Sequence, residues 1–276
     1  MPAPSKNMLS KLAKINFATK NIKLPVNWKK PGSQYPDAFK KSERQVAPNP
    51  PLNLFREPTL NKYHVEAART IGKSFEKYIE GVCGAICSGI DKWMKMTSIV
   101  SVVINGPVGM LLPGGVIGPP LMPLIFATAP KKTLQEMKYS KAIASAFGTL
   151  WQPWSMGLMG TLTYPLFAAF PGPMAPPTPN VPMPLITLSS PGETGLSPTS
   201  LKTMMQANLA DPKALHASDL FDAIARAFNT VFQPFKATTI IQNVLGTGPI
   251  PTFAPPVAPV GPVVMGSVIP TPGVLK

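Results

Sequence analysis

Acidic residues are scarce in this chain: 12 Asp and Glu stand against 26 Lys and Arg in 276 residues, and charged residues of either sign make up only 14%. A disordered chain stays in solution by charge, so 45% apolar content with so little charge excludes a simple solvated tail. Histidine and cysteine are scarcer still, with two of each. Two cysteines exclude a disulfide framework. Cys83 and Cys87 lie four apart on an expected helix, but with His64 and His216 distant in sequence they offer no four-ligand metal site, and two small buried residues on one helix face are expected instead. The chain contains no G-x-S-x-G, P-loop, H-E-x-x-H or paired C-x-x-C pattern. The glycine-rich "PGGVIGPP" runs into prolines and not into a helix N-terminus, so it is no phosphate cradle. No catalytic residue, cofactor site or metal site is expected, and the chain reads as a protein that is not an enzyme. The one ordered titratable cluster, Asp211, Lys213, His216 and Asp219, reads as helix-capping, with Asp211 as cap and Pro212 in the first turn.

Proline and glycine are abundant, at 36 and 21 residues. Together with the apolar content they describe a protein with much irregular, extended backbone that must be covered by itself, by a partner or by lipid. The basic charge is concentrated at the N-terminus. Residues 1–63 hold 12 Lys and Arg against Asp37, Glu43 and Glu57, and so carry nine of the fourteen net positive charges. Prolines 25, 31, 36, 48, 50, 51 and 58 forbid a long helix after about residue 24, so 1–63 is expected to be a basic, extended arm. Its cations Lys11, Lys14, Lys20, Lys23, Lys29, Lys30, Lys40, Lys41 and Arg44 are the candidate partner-binding set. Acidic surfaces of other structural proteins are the first expectation for what they bind, with nucleic acid and anionic membrane as alternatives. The opening residues lack an apolar signal-peptide core, and the arm lacks the arginine of a transit peptide, so synthesis in the cytoplasm without a signal peptide is expected.

From His64 the apolar positions Ala68, Ile71, Phe75, Ile79, Val82, Ile86, Ile90 and Trp93 recur at steps of three and four, which predicts an amphipathic helix to about residue 96. Three charge-free blocks follow among the remaining helices: Thr97–Pro130, Ala142–Gly192 and Ala237–Leu275, of 34, 51 and 39 residues. The first is long enough to span a bilayer, but Pro107, Pro113, Pro119, Pro120 and Pro123 preclude a regular spanning helix. Helices are expected from about Lys131 to Trp151 and over roughly Ser200–Phe232, the latter broken near 210–213.

One segment is written twice. "AIASAFGTLWQPW" at 142–154 returns as "AIARAFNTVFQPF" at 223–235, with eight identities in thirteen positions and no gap. "APPTPNV" at 175–181 likewise faces "APPVAPV" at 254–260, and "GPPLMPLI" at 118–125 gives a fainter third echo. The organisation read from this is an arm, 1–63, then three units of helix plus apolar Pro/Gly block: 64–130, 131–199 and 200–276. The expected fold class is mainly α with extensive irregular Pro/Gly-rich and short extended segments, built as an internal tandem repeat with room for pseudo-threefold symmetry. Phe147, Trp151, Trp154, Phe228, Phe232 and Phe235, at helix ends near Pro153 and Pro234, are the expected packing anchors; a ligand clamp is the alternative reading of the paired aromatics.

The segment "NVLGTGPIPTFAPPVAPVGPVVMGSVIP", with "FDAIARAFNTVFQPF" before it, resembles small structural proteins of contractile phage tails and related phage-like injection particles. The resemblance covers about residues 217–276 and the matching 138–186. It implies a virion component near the tail hub, tube or tip, where a central axis of threefold symmetry is usual. The function expected is a non-enzymatic structural protein, an adaptor or plug of a large assembly that docks through its basic arm. The alternatives are a membrane-active protein that inserts its uncharged blocks into a bilayer and a nucleic-acid-binding virion protein.

Overall fold

A computed structural model of the chain describes residues 4–23, 54–55, 62–211, 214, 216–252 and 260–276. Six α-helices form its framework: α1 (Lys6–Ala18), α2 (Lys62–Met96), α3 (Leu121–Thr128), α4 (Leu134–Met156), α5 (Pro198–Leu209) and α6 (Ala217–Thr238). Between and after them run ten short strands: β1 (Ser98–Ile99), β2 (Val102–Asn105), β3 (Val108–Leu111), β4 (Val116–Ile117), β5 (Gly160–Thr163), β6 (Met174–Pro179), β7 (Met183–Pro184), β8 (Ile240–Ile241), β9 (Leu245–Pro249) and β10 (Ser267–Ile269).

The helices begin where local chemistry supplies caps. Thr133 and Glu136 form a reciprocal capping box at the start of α4, the Glu136 amide donating to Thr133 Oγ1 at 3.1 Å and the Thr133 amide to Glu136 Oε2 at 3.3 Å. Ser197 caps α5, with Pro198 in its first turn. Both α4 and α6 run past the prolines expected to end them. Pro153 and Pro234 lie in the last turns, so each removes only one hydrogen bond and bends little of the helix. The break between α5 and α6 is made by Ala210 and His216, both in the left-handed region at φ 48° and 58°. Asp211 is therefore not the cap of α6, which starts at Ala217 with His216 before it.

The helices share one core. α1 packs on α6 and α2, α3 wedges between α2 and α4, and α5 lies against α4 and α6. The repeated segments of α4 and α6 meet directly: the rings of Phe147 and Phe228 sit edge to face, 4.8 Å between centroids. Below them Trp93 of α2, Trp151 and Trp154 of α4 and Phe232 and Phe235 of α6 form one aromatic cluster, with Trp151 and Trp154 4.4 Å apart.

The fold is mixed α/β, not mainly α, because the Pro/Gly blocks pair into small antiparallel sheets instead of running irregularly. β2, β3 and β5 form one sheet and β10, β9 and β6 another, joined by a bridge between Ile104 and Gly266; β1 pairs with β4 and β7 with β8. These ladders cross the unit boundaries at 130 and 199. The glycines make the pairing possible. Gly106, at φ 58°, turns the β2–β3 hairpin with Pro107 beside it, a two-residue connection matched to strand twist. Gly109 and Gly246 leave room for the Tyr164 ring: a Cβ at either would lie 2.9 Å from it. Tyr164 thus lies against both larger sheets, stacks on Phe167 and donates its hydroxyl to the Val244 carbonyl at 3.0 Å. Prolines are placed where donors are dispensable: Pro176 and Pro177 lie at the register shift of the edge strand β6.

The faint third echo differs in conformation. Residues 118–125 lead into α3, whereas the similar "APP" at 175–177 and "MPLI" at 183–186 lie in β6 and in β7 with the 3-10 turn Leu185–Thr187 that follows it. Residues 253–259, most of the second "APP" copy, lie outside the described residues. Residues 272–276 run back along the molecule: Ser98 bridges Pro272, Gly273 donates to the Thr97 carbonyl, and Ile240 and Lys276 exchange both backbone hydrogen bonds.

Candidate functional site

Two surfaces of opposite character arise from one sequence property. Every strand falls inside one of the three charge-free blocks. Apart from Lys23 and Lys276, the charged side chains among the described residues lie on the helices, the 191–196 turn and the immediate helix flanks. The strands themselves therefore carry no charged side chain, with Lys276 exposed beside β8, and apolar side chains lie open on them. In the β2–β3 hairpin Ile104, Gly109 and Leu111 face inward, while Val108 and Met110 face out. Asn105, across from Val108, accepts the Met265 amide at 2.9 Å, and Val108 pairs on its other side with Thr163, whose carbonyl accepts the Val181 amide. These bonds bring Val108, Val181 and Met265 around one hairpin. Met265 is 72% exposed and sits in the left-handed region at φ 53°, a conformation that methionine rarely adopts. The sequence signal for this surface was the "NGP" turn between alternating segments, which marks a hairpin and fixes which residues point outward.

The helical side is basic. Lys131, Lys132, Lys138 and Lys141 stand exposed around the start of α4 with Glu136 among them. Of the candidate arm cations, Lys11 and Lys23 are exposed, whereas two are bonded within the chain. Lys14 reaches Glu80 of α2 at 2.7 Å, and Lys20 reaches Asp222 of α6 at 2.6 Å. Lys29, Lys30, Lys40, Lys41 and Arg44 lie outside the described residues. The first part of the arm is α1, held down by buried Leu9, Ala13 and Phe17. Phe17 packs on Phe55 and Phe75. Asp222 also pairs with Arg226 at 2.9 Å and lies 3.9 Å from Lys202. Burial alone would raise its carboxyl, but the hydrogen bonds from Lys20 and Arg226 outweigh this and hold it below the usual carboxylate range.

The six aromatic positions singled out from the sequence are all buried, and they contact one another across α4 and α6. Cys83 and Cys87 are buried thiols; burial pushes Cys83 up, and Cys87 up to about 12. His216 lies 3.6 Å from Asp219, and Lys213 lies outside the described residues. Among the described residues no three His, Cys, Asp or Glu group as metal ligands, and no helix is long and apolar enough to cross a membrane. Comparison of the chain with known protein families, with curated proteins and with solved structures returned no match.

Proposed function

We propose that the protein is a non-enzymatic structural adaptor of a large assembly, of the contractile-tail or phage-like injection type that its C-terminal sequence resembles. The observation that carries this reading is the segregation of charge between elements: strands without charged side chains, with Val108, Met110 and Met265 exposed around the β2–β3 hairpin, and helices that carry nearly all of the charge among the described residues. A surface without charge offers no electrostatic selectivity and is costly to leave in water, so it suits a permanent apolar joint. The exposed lysines at the start of α4, with Lys11 and Lys23, suit an acidic neighbour.

The reading is tested by quantitative mass spectrometry of particles sedimented from producing cells, alongside the full-length chain and its Met110→Asp/Met265→Asp variant. The adaptor reading expects a fixed ratio of the chain to the other particle proteins, lost in the variant while its fold is retained. A chain that stays in the supernatant as a monomer refutes it. Flotation with neutral and anionic liposomes separates the membrane-active reading, which requires comigration with vesicles, and a salt-sensitive gel shift would favour nucleic acid.

A further inference from the structure

One face of α4 stays open along the whole helix. Leu134, Lys138, Lys141, Ser145, Gln152 and Met156 follow one another at steps of three, four or seven, so they form a single stripe, and none of them is buried. At 1.5 Å per residue the stripe runs for about 33 Å. Its first half is basic and apolar at once. Lys131 and Lys132 precede it, and Leu134 and Met137 stand 66% and 40% exposed among the cations. None of Lys131, Lys132, Lys138 and Lys141 forms an ion pair among the described residues; Lys131 lies over the Phe126 ring and donates to the Ala127 carbonyl. Glu136, the one acid in residues 131–141, already accepts the Lys132 and Thr133 amides at 2.7 and 3.3 Å. The second half of the stripe is uncharged and concave. Ser145, Gln152 and Met156 line an open groove of about 510 Å³, whose other walls include Trp93 and Trp151, Met122 of α3 and Ile117 of β4. None of its lining residues is charged.

We propose that this stripe docks a segment of a partner protein that carries acidic residues at one end, over the lysines, and aliphatic residues at the other, in the groove. The proposal rests on the adaptor reading in that it gives the chemistry of the acidic neighbour. Four cations without acids of their own attract an anionic partner. The groove rejects the same anion, because a carboxylate moved there would lose its hydration without a counter-charge. One occupant of both halves must therefore change character along its length. A bilayer is flat, so it would meet Leu134 and Met137 without entering the groove. A nucleic acid would find the lysines but no aromatic face for its bases, since Trp93 and Trp151 are each 1% exposed.

The test presents the full chain to a displayed library of random peptides of about 20 residues, long enough to follow most of the stripe as a helix. Enriched peptides are expected to join a cluster of Asp and Glu to a cluster of Leu, Ile, Met or Phe, and to bind one to one in fluorescence anisotropy. Lys138→Glu/Lys141→Glu, at exposed positions, is expected to weaken them by at least about tenfold. Thr149→Trp, which fills the groove from an exposed position on α4, is expected to do the same with the far-ultraviolet spectrum unchanged. If Thr149→Trp does not fold, Gln152→Glu, which places a charge in the groove, replaces it. Absence of enrichment, affinity unaltered by the lysine reversal, or peptides acidic throughout that bind the groove variant equally well overturns the proposal. Tighter lysine-dependent binding to phosphatidylserine–phosphatidylcholine vesicles or to duplex DNA than to any peptide overturns it in favour of those partners. The selection uses the isolated chain, so its failure leaves the particle-sedimentation result untouched and the two readings fail separately.

Discussion

Replacing Phe147 and Phe228 by leucine, singly and together, asks whether the two copies of the repeated segment hold each other in the fold. Both rings are fully buried, and they meet at 4.8 Å with an interplanar angle of 84°, inside the range where edge-to-face attraction is favourable. Each single change keeps an apolar side chain of smaller volume, and is expected to destabilise by about 1–2 kcal/mol through lost contact and imperfect refilling. The double variant loses the ring pair only once, so the two costs are not additive. A coupling of about 0.5–1.5 kcal/mol is expected from the pair itself. Urea unfolding followed by tryptophan fluorescence measures this, because Trp151 and Trp154 lie close below the pair on α4. Equal m-values across the four proteins are needed for the comparison. A coupling within about 0.3 kcal/mol of zero would mean that the segments act independently, and the packing argued here would be wrong.

Lys20→Met removes one of three cations around Asp222 and the principal polar tie of α1 to α6; a cost of about 1–2 kcal/mol is expected, reduced because Lys20 is partly exposed, and amide exchange in residues 6–18 should rise first. Because the Asp222 carboxyl is held below its ordinary value, its contribution is complete above about pH 4 and is lost as pH falls through the lowered value; acid unfolding of Asp222→Asn should lack that component. Gly192→Ala should destabilise by about 1–3 kcal/mol, since its Cβ would lie 2.6 Å from the Pro153 carbonyl oxygen and the Trp154 amide nitrogen, whereas Gly172→Ala, with no neighbour nearer than 3.4 Å, should stay within about 0.5 kcal/mol in the same denaturation assay. Cys83 and Cys87 should resist alkylation at pH 8 until urea unfolds the chain, and labelling of the native protein within minutes would show that α2 opens locally.

The helices were the most legible part of the sequence, because α2 and α4 carry an apolar stripe at steps of three and four. Their C-terminal limits were misjudged at Pro153 and Pro234, since proline in a last turn costs one hydrogen bond where proline in mid-helix breaks several contacts. The sheets were hidden by composition. Strands of two to six residues with glycine or proline inside them show little alternation, and β6 reads "MAPPTP" yet pairs with β9 across a register shift. At Asn105–Val108 turn chemistry and alternation do coincide, yet the Thr97–Pro130 block was expected to be irregular and its hairpin went unpredicted. The arm misled for another reason: its basic charge suggested an external partner, but two of its lysines answer carboxylates on α2 and α6, and a charge pattern does not say whether its complement lies on the same chain. The buried aromatics were visible as a repeated motif, but the groove beside Trp151 was not, because α3 and the loop before it come from a different stretch of chain.

The return of residues 272–276 to Thr97 and Ile240 bears on how the protein is made. A ribosome delivers β1 long before the segment that bridges it, and loop closure over such a separation is slow. Until then the first charge-free block has strand edges open and no like-charge repulsion to keep it from its neighbours, which is the condition in which nascent chains associate wrongly. Production of this protein should therefore depend on a chaperone that holds uncharged extended segments, or on prompt capture by its assembly, more than the stability of the finished fold would suggest.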